Sequence, residues 1–93
     1  MKNEKMQKAM DKFFANPHWK EVYEGAPEKV KKLYEITFVI VNEGKKEEGD
    51  DKAIRALYGE FSDADWEYLI DKTQSPMGKW GYKKAKEKFG KSA

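Results

Sequence analysis

Apolar positions recur along this chain at helical spacing, and prolines and glycines punctuate them. Met6, Met10, Phe13 and Phe14 define one face of a first helix, predicted at about residues 3–15. A second, about 17–24, carries Trp19, Val22 and Tyr23, and a third, about 27–43, carries Val30, Leu33, Tyr34, Ile36, Phe38, Ile40 and Val41. The apolar arc of this third helix spans roughly 200°, which predicts a central position with cover on more than one side. A fourth, about 50–60, groups Ile54, Leu57, Tyr58 and Phe61; a fifth, about 63–74, carries Trp66, Leu69 and Ile70. The last, about 76–89, places Met77, Gly81, Tyr82, Ala85 and Phe89 on one side.

The breakers agree with these bounds. Pro17, Pro27 and Pro76 stand where helices begin, and proline at a first helical position gives up no hydrogen bond. Gly25, Gly44 and Gly90 stand where helices should stop. Ser62 and Asp65 have the spacing of a capping box, although the preferred partner is Glu or Gln. One stretch conflicts: Ile36-Thr-Phe-Val-Ile-Val41 has the β-branched and aromatic composition of a strand. No second segment offers it a pairing partner, and a lone strand leaves its backbone groups unpaired, so helix is predicted there. The fold class is therefore all-α, a compact bundle of five or six short helices forming one domain over residues 1–93. Its predicted core comprises Met10, Phe13, Trp19, Val22, Leu33, Tyr34, Phe38, Val41, Ile54, Leu57, Phe61, Trp66, Leu69, Ile70 and Phe89.

Composition narrows the functional classes. The chain has 93 residues, 39% of them charged, yet its net charge is only +2 and 14% are aromatic, which argues for folding over disorder. Cysteine is absent, so disulfide frameworks and thiolate zinc sites are excluded. The polar N-terminus lacks the apolar core of a signal peptide, and no apolar run approaches the ~20 residues of a membrane span. A cytoplasmic protein without membrane insertion is expected. The segment Glu43–Asp51 is charged, carries Gly44 and Gly49 and lacks any apolar residue, so a mobile loop is expected there.

No catalytic, cofactor or metal constellation stands out. His18 is the single histidine and has no marked nucleophile, since Ser62 and Ser75 read as helix caps. Asp63, Asp65 and Glu67 have the opening spacing of a calcium loop, but Tyr68 stands where glycine is required and Gln74 where a bidentate Glu is required. Gly78 and Gly81 fall inside a helix and make no phosphate-cradling loop. No catalytic, cofactor-binding or metal-ligating residue is assigned, and no cofactor is expected.

Charge distribution is the informative feature. Residues 1–75 hold 13 basic and 16 acidic residues, net −3, whereas residues 76–93 hold six lysines and one glutamate, net +5. Lys79, Trp80, Lys83, Lys84 and Lys88 are the candidate contact residues, an aromatic set among cations that suits an acidic partner or a phosphate backbone. Residues 61–75, with four acids against one lysine, precede this helix and can neutralise part of it. A helix-turn-helix is disfavoured, because residues 63–74 would present Asp63, Asp65, Glu67 and Asp71 to DNA. The reading is a non-enzymatic protein acting through contact with an unknown protein partner or by self-association, with nucleic-acid binding through the basic C-terminal helix as the alternative.

Overall fold

A computed structural model describes residues 2–90, and each predicted helix is present in it. In chain order these are α1 (Lys2–Phe14), α2 (Pro17–Glu24), α3 (Glu28–Glu43), α4 (Asp50–Glu60), α5 (Asp63–Lys72) and α6 (Pro76–Phe89). No strand occurs among the described residues, and the contested 36–41 stretch lies inside α3. Its backbone groups are satisfied within the helix, whereas a single strand would leave them open.

Local chemistry sets the boundaries. The Asn16 side chain accepts the His18 amide at 3.0 Å, with Pro17 following in the first turn. Pro27 sits one position earlier than expected, as the N-cap of α3. Ser62 and Asp65 complete a reciprocal capping box: the Ser62 amide donates to Asp65 Oδ2 at 2.9 Å, and the Asp65 amide donates to Ser62 Oγ at 3.2 Å. Asp is therefore long enough for the box here, and Asp65 is the one buried charged residue among those described. Gly44 ends α3 at φ 77° and Gly49 precedes α4 at φ 93°, a left-handed region that favours glycine. The charged loop between them, expected to be unanchored, is tied by polar contacts. Lys5 Nζ on α1 lies 2.7 Å from Glu47 and 3.5 Å from Glu43, and the Glu47 amide donates to Asp50 Oδ2 at 2.7 Å.

The helices close on two groups of rings. In the first, Phe38 on α3 stacks on Phe13 of α1 with centroids 4.3 Å apart and on Tyr34 at 5.9 Å. Trp19 of α2 meets it edge-on at 6.0 Å, and Phe14 and Tyr23 each lie 6.4 Å away. In the second, Tyr58 of α4 lies 5.1 Å from Trp66 of α5 and 5.6 Å from Phe89 of α6, with Phe61 4.9 Å from Trp66. Val30, Leu33 and Leu69 are fully buried, joined by Ala9 and Ala26, which the apolar pattern did not mark. Met10, Phe13, Trp19, Ile54, Leu57 and Phe89 pack on the core while keeping partial exposure.

Val41 departs from its expected core position, with 59% of its surface exposed. It sits in the last turns of α3, over a shallow groove bordered by Lys12, Phe13, Asn16 and Trp19. Periodicity fixes the face of a helix but not how far along its length that face is covered. Ile70, also expected inside, is half-buried beside the groove between α5 and α6.

The aromatic core makes two predictions. Removing the Phe38 ring leaves a cavity against five others, so Phe38→Ala is expected to cost about 3–5 kcal/mol, and Leu33→Ala about 2–5 kcal/mol. Urea denaturation followed by circular dichroism checks both, and an unchanged midpoint would remove α3 from the centre of the fold. Burial also raises the hydroxyl pKa of all five tyrosines, to about 12 for Tyr58 and for Tyr23, where the Glu35 carboxylate accepting its proton adds to the effect. Folded tyrosines thus keep protons that the unfolded chain releases above about pH 10. Stability is full below that value and falls between about pH 10 and 12, because the unfolded state there binds fewer protons. Tyrosinate absorbance is expected to rise together with loss of helical ellipticity in that window, and a rise with the helices intact would show the rings to be accessible.

Candidate contact face on the C-terminal helix

α6 begins with Pro76 after Ser75, whose hydroxyl oxygen accepts the Gly78 amide at 3.3 Å. The turn before it is tight: a Cβ on Gly78 would lie 2.9 Å from Thr73 Cγ2, so glycine permits the close approach of α6 to the end of α5. Tyr82, Ala85 and Phe89 face the core. Met77 and Gly81, expected on that same side, do not: Met77 is 81% exposed, and a Cβ on Gly81 would meet nothing within 4 Å. The core-facing arc is narrower than the run of apolar residues on the wheel implies, because α5 and α4 cover only one side of α6.

The five candidate contact residues separate into two sets. Lys79 turns back toward α5, and its ammonium donates to the Ile70 carbonyl at 3.2 Å and the Asp71 carbonyl at 3.5 Å. These belong to the last turn of α5, where the partial negative charge of the helix end attracts a cation, and the Ile70 carbonyl also accepts the Thr73 amide at 3.3 Å. Lys83 lines a groove of about 1000 Å³ between α5 and α6, together with Lys86 and with Glu67 and Asp71 of the acidic helix. The acids of residues 61–75 thus border the α6 lysines on this side. Trp80, Lys84 and Lys88 lie on the other side. Trp80 is 63% exposed, and the Lys84 ammonium sits 5.8 Å from its ring centroid, within reach of a cation–π contact. Lys84 also lies 4.0 Å from Glu87, an exposed pair of little energetic weight.

Met77 is absent from the five candidate contact residues although it is exposed beside them. With Trp80 it makes an exposed apolar pair on the first turns of α6, directly before Lys84 and Lys88. Offsets of three, seven and eleven residues from Met77 could have grouped Trp80, Lys84 and Lys88 with it.

The other depressions offer less chemistry. His18 borders a groove of about 350 Å³ with Glu21, Tyr68 and Lys72. Its Nε2 is buried without a hydrogen-bond partner, and the Tyr68 hydroxyl beside it is committed to the Val22 carbonyl at 2.6 Å. One carboxylate and no serine, threonine or cysteine border that groove. Among the described residues no group of three or more His, Asp or Glu side chains is placed to hold a metal ion. None of the described helices is long and apolar enough to cross a membrane. No family model matches the chain, and neither the curated proteins nor the solved structures include a match to it.

The division of lysines is testable by neutral replacement. Lys79→Met is expected to destabilise the fold by about 0.3–1 kcal/mol, because it removes a cation from the end of α5. Lys84→Met should stay within about ±0.5 kcal/mol, as a surface change that breaks no buried contact, whereas Lys88→Met removes a cation from the last turn of α6 and should cost a few tenths of a kcal/mol. Thermal melts of the three variants at low ionic strength check the order, and equal losses in all three would erase the distinction.

Proposed function

We propose that this chain is a non-enzymatic, cytoplasmic interaction protein whose contact surface is the outward face of α6. The observation that carries this reading is the exposure of Met77 and Trp80 on a protein whose other aromatic residues all pack at least partly into the fold. Tryptophan and methionine are enriched where proteins meet, and a large amphipathic ring held on a helix contributes contact area at little entropic cost. The adjacent lysines suit a partner of opposite charge. The absence of cysteine supports an intracellular setting.

A second reading, nucleic-acid binding, is favoured by the Lys84–Trp80 contact, since a ring among cations also serves to stack a base and hold a phosphate. Such binding falls steeply with added salt.

A photo-reactive phenylalanine analogue placed at position 80 separates these readings in cells, with the same group at exposed position 20 as control. Protein adducts of discrete mass from position 80 alone are expected, and an adduct of twice the chain mass would identify self-association. Nuclease-sensitive adducts would favour the second reading. Adducts equal in amount from both positions, or none, would remove α6 as the contact surface.

A further inference from the structure

Met77, Trp80, Gly81, Lys84 and Lys88 fall within an arc of about 100° on α6 at 3.6 residues per turn. From Met77 to Lys88 the helix advances about 16 Å. Along this strip the chemistry is segregated. The N-terminal end carries an exposed thioether and an exposed indole, and the C-terminal end carries two ammonium groups. Gly81 contributes no side chain between them, so the strip is flat at its centre.

Three observations narrow what can occupy it. The first is size. A strip about 16 Å long and about 10 Å wide has on the order of 160 Å² in projection, far below the ~800 Å² that each side of a stable protein pair buries. The second is symmetry. A two-fold pair packed in parallel through this strip would set Lys84 and Lys88 against the same lysines, and an antiparallel pair would lay them on Met77 and Trp80 with no carboxylate of the strip to meet them, because such an interface uses one patch twice. The third is the charge on either side. Lys79 reaches the end of α5, and Lys83 and Lys86 line a groove that Glu67, Asp71 and Glu87 share, so acids border the cationic surface on that side. A long polyanion would run from the lysines onto those carboxylates.

We infer that the outward face of α6 binds a short acidic amphipathic protein segment. One aromatic or aliphatic side chain of the segment seats on Met77 and Trp80, and carboxylates one to two turns further along meet Lys84 and Lys88. The inference rests on the reading of α6 as the contact surface and adds the chemistry of the partner.

Selection from a random displayed-peptide library against the full chain tests it without choosing a ligand in advance. Recovered peptides are expected to combine Asp or Glu with a Phe, Leu or Trp. Calorimetric titration of the synthesised peptides should show at least a tenfold loss of affinity with Trp80→Ala, the scale of an interface hot spot. The double variant Lys84→Gln/Lys88→Gln should lose binding as severely, while Lys84→Arg/Lys88→Arg retains it and all variants keep the helical circular dichroism of the parent chain. Peptides that need Trp80 but lack acidic residues would overturn the partner chemistry and leave α6 as the contact surface. Peptides indifferent to Trp80, or none recovered, would overturn both. Tight binding of a dT oligonucleotide at physiological salt, lost in the same variants, would replace the acidic segment with nucleic acid.

Discussion

Three helices meet at the ring of Phe38. α1 brings Phe13 and Phe14 to it, α2 brings Trp19 and Tyr23, and its own helix adds Tyr34. A chain of 93 residues buries a modest share of its surface, and aromatic pairs contribute beyond the area they cover. Placing one ring against five others concentrates that contribution at the centre of α3. The apolar strand-like run around Phe38 is consistent with this: β-branched and aromatic residues are poor helix formers individually, and tertiary packing outweighs that preference.

The second group of rings positions α6. Tyr58, packed against Trp66, holds Phe89, and Tyr82 and Ala85 follow it toward the core, so the opposite side of the helix has no internal partner. Trp66 illustrates how the balance is struck. Its indole N–H is buried without a hydrogen-bond partner, a loss of about 1–3 kcal/mol. Burying a ring of ~200 Å² returns about 5 kcal/mol at 25 cal/mol per Å². The apolar gain exceeds the polar loss, and the exposed Met77–Trp80 pair is the part of α6 that this arrangement leaves outside.

Much of the architecture was legible from the amino-acid order. Pro17, Pro76, Ser62 and Gly44 mark ends whose cap geometry depends on a few adjacent residues, which is information a sequence carries locally. Phe38 and Leu33 were assigned correctly because a wide apolar arc on a long helix has few alternatives to burial. Periodicity puts Val41 in the core and Met77 on the same side of its helix as Tyr82 and Phe89, and both are exposed, because the length and position of neighbouring helices decide where cover ends. The candidate lysines show a similar limit. Composition singles out the last helix, but a wheel does not say that Lys79 reaches back to the carbonyls of Ile70 and Asp71 while the ammonium groups of Lys84 and Lys88 lie over the rings of Trp80 and Phe89.

The two ring clusters also bear on how the chain reaches this state. One is made from residues 13–38 and the other from residues 58–89, so each closes within a short run of sequence. Loop closure over such distances carries a small entropic cost, and helical proteins dominated by local contacts fold in microseconds to milliseconds. The first cluster has all its members before the segment that supplies the second. On a ribosome, α1 to α3 can therefore associate while α4 to α6 are still being added, with the docking of the two halves left as the final event.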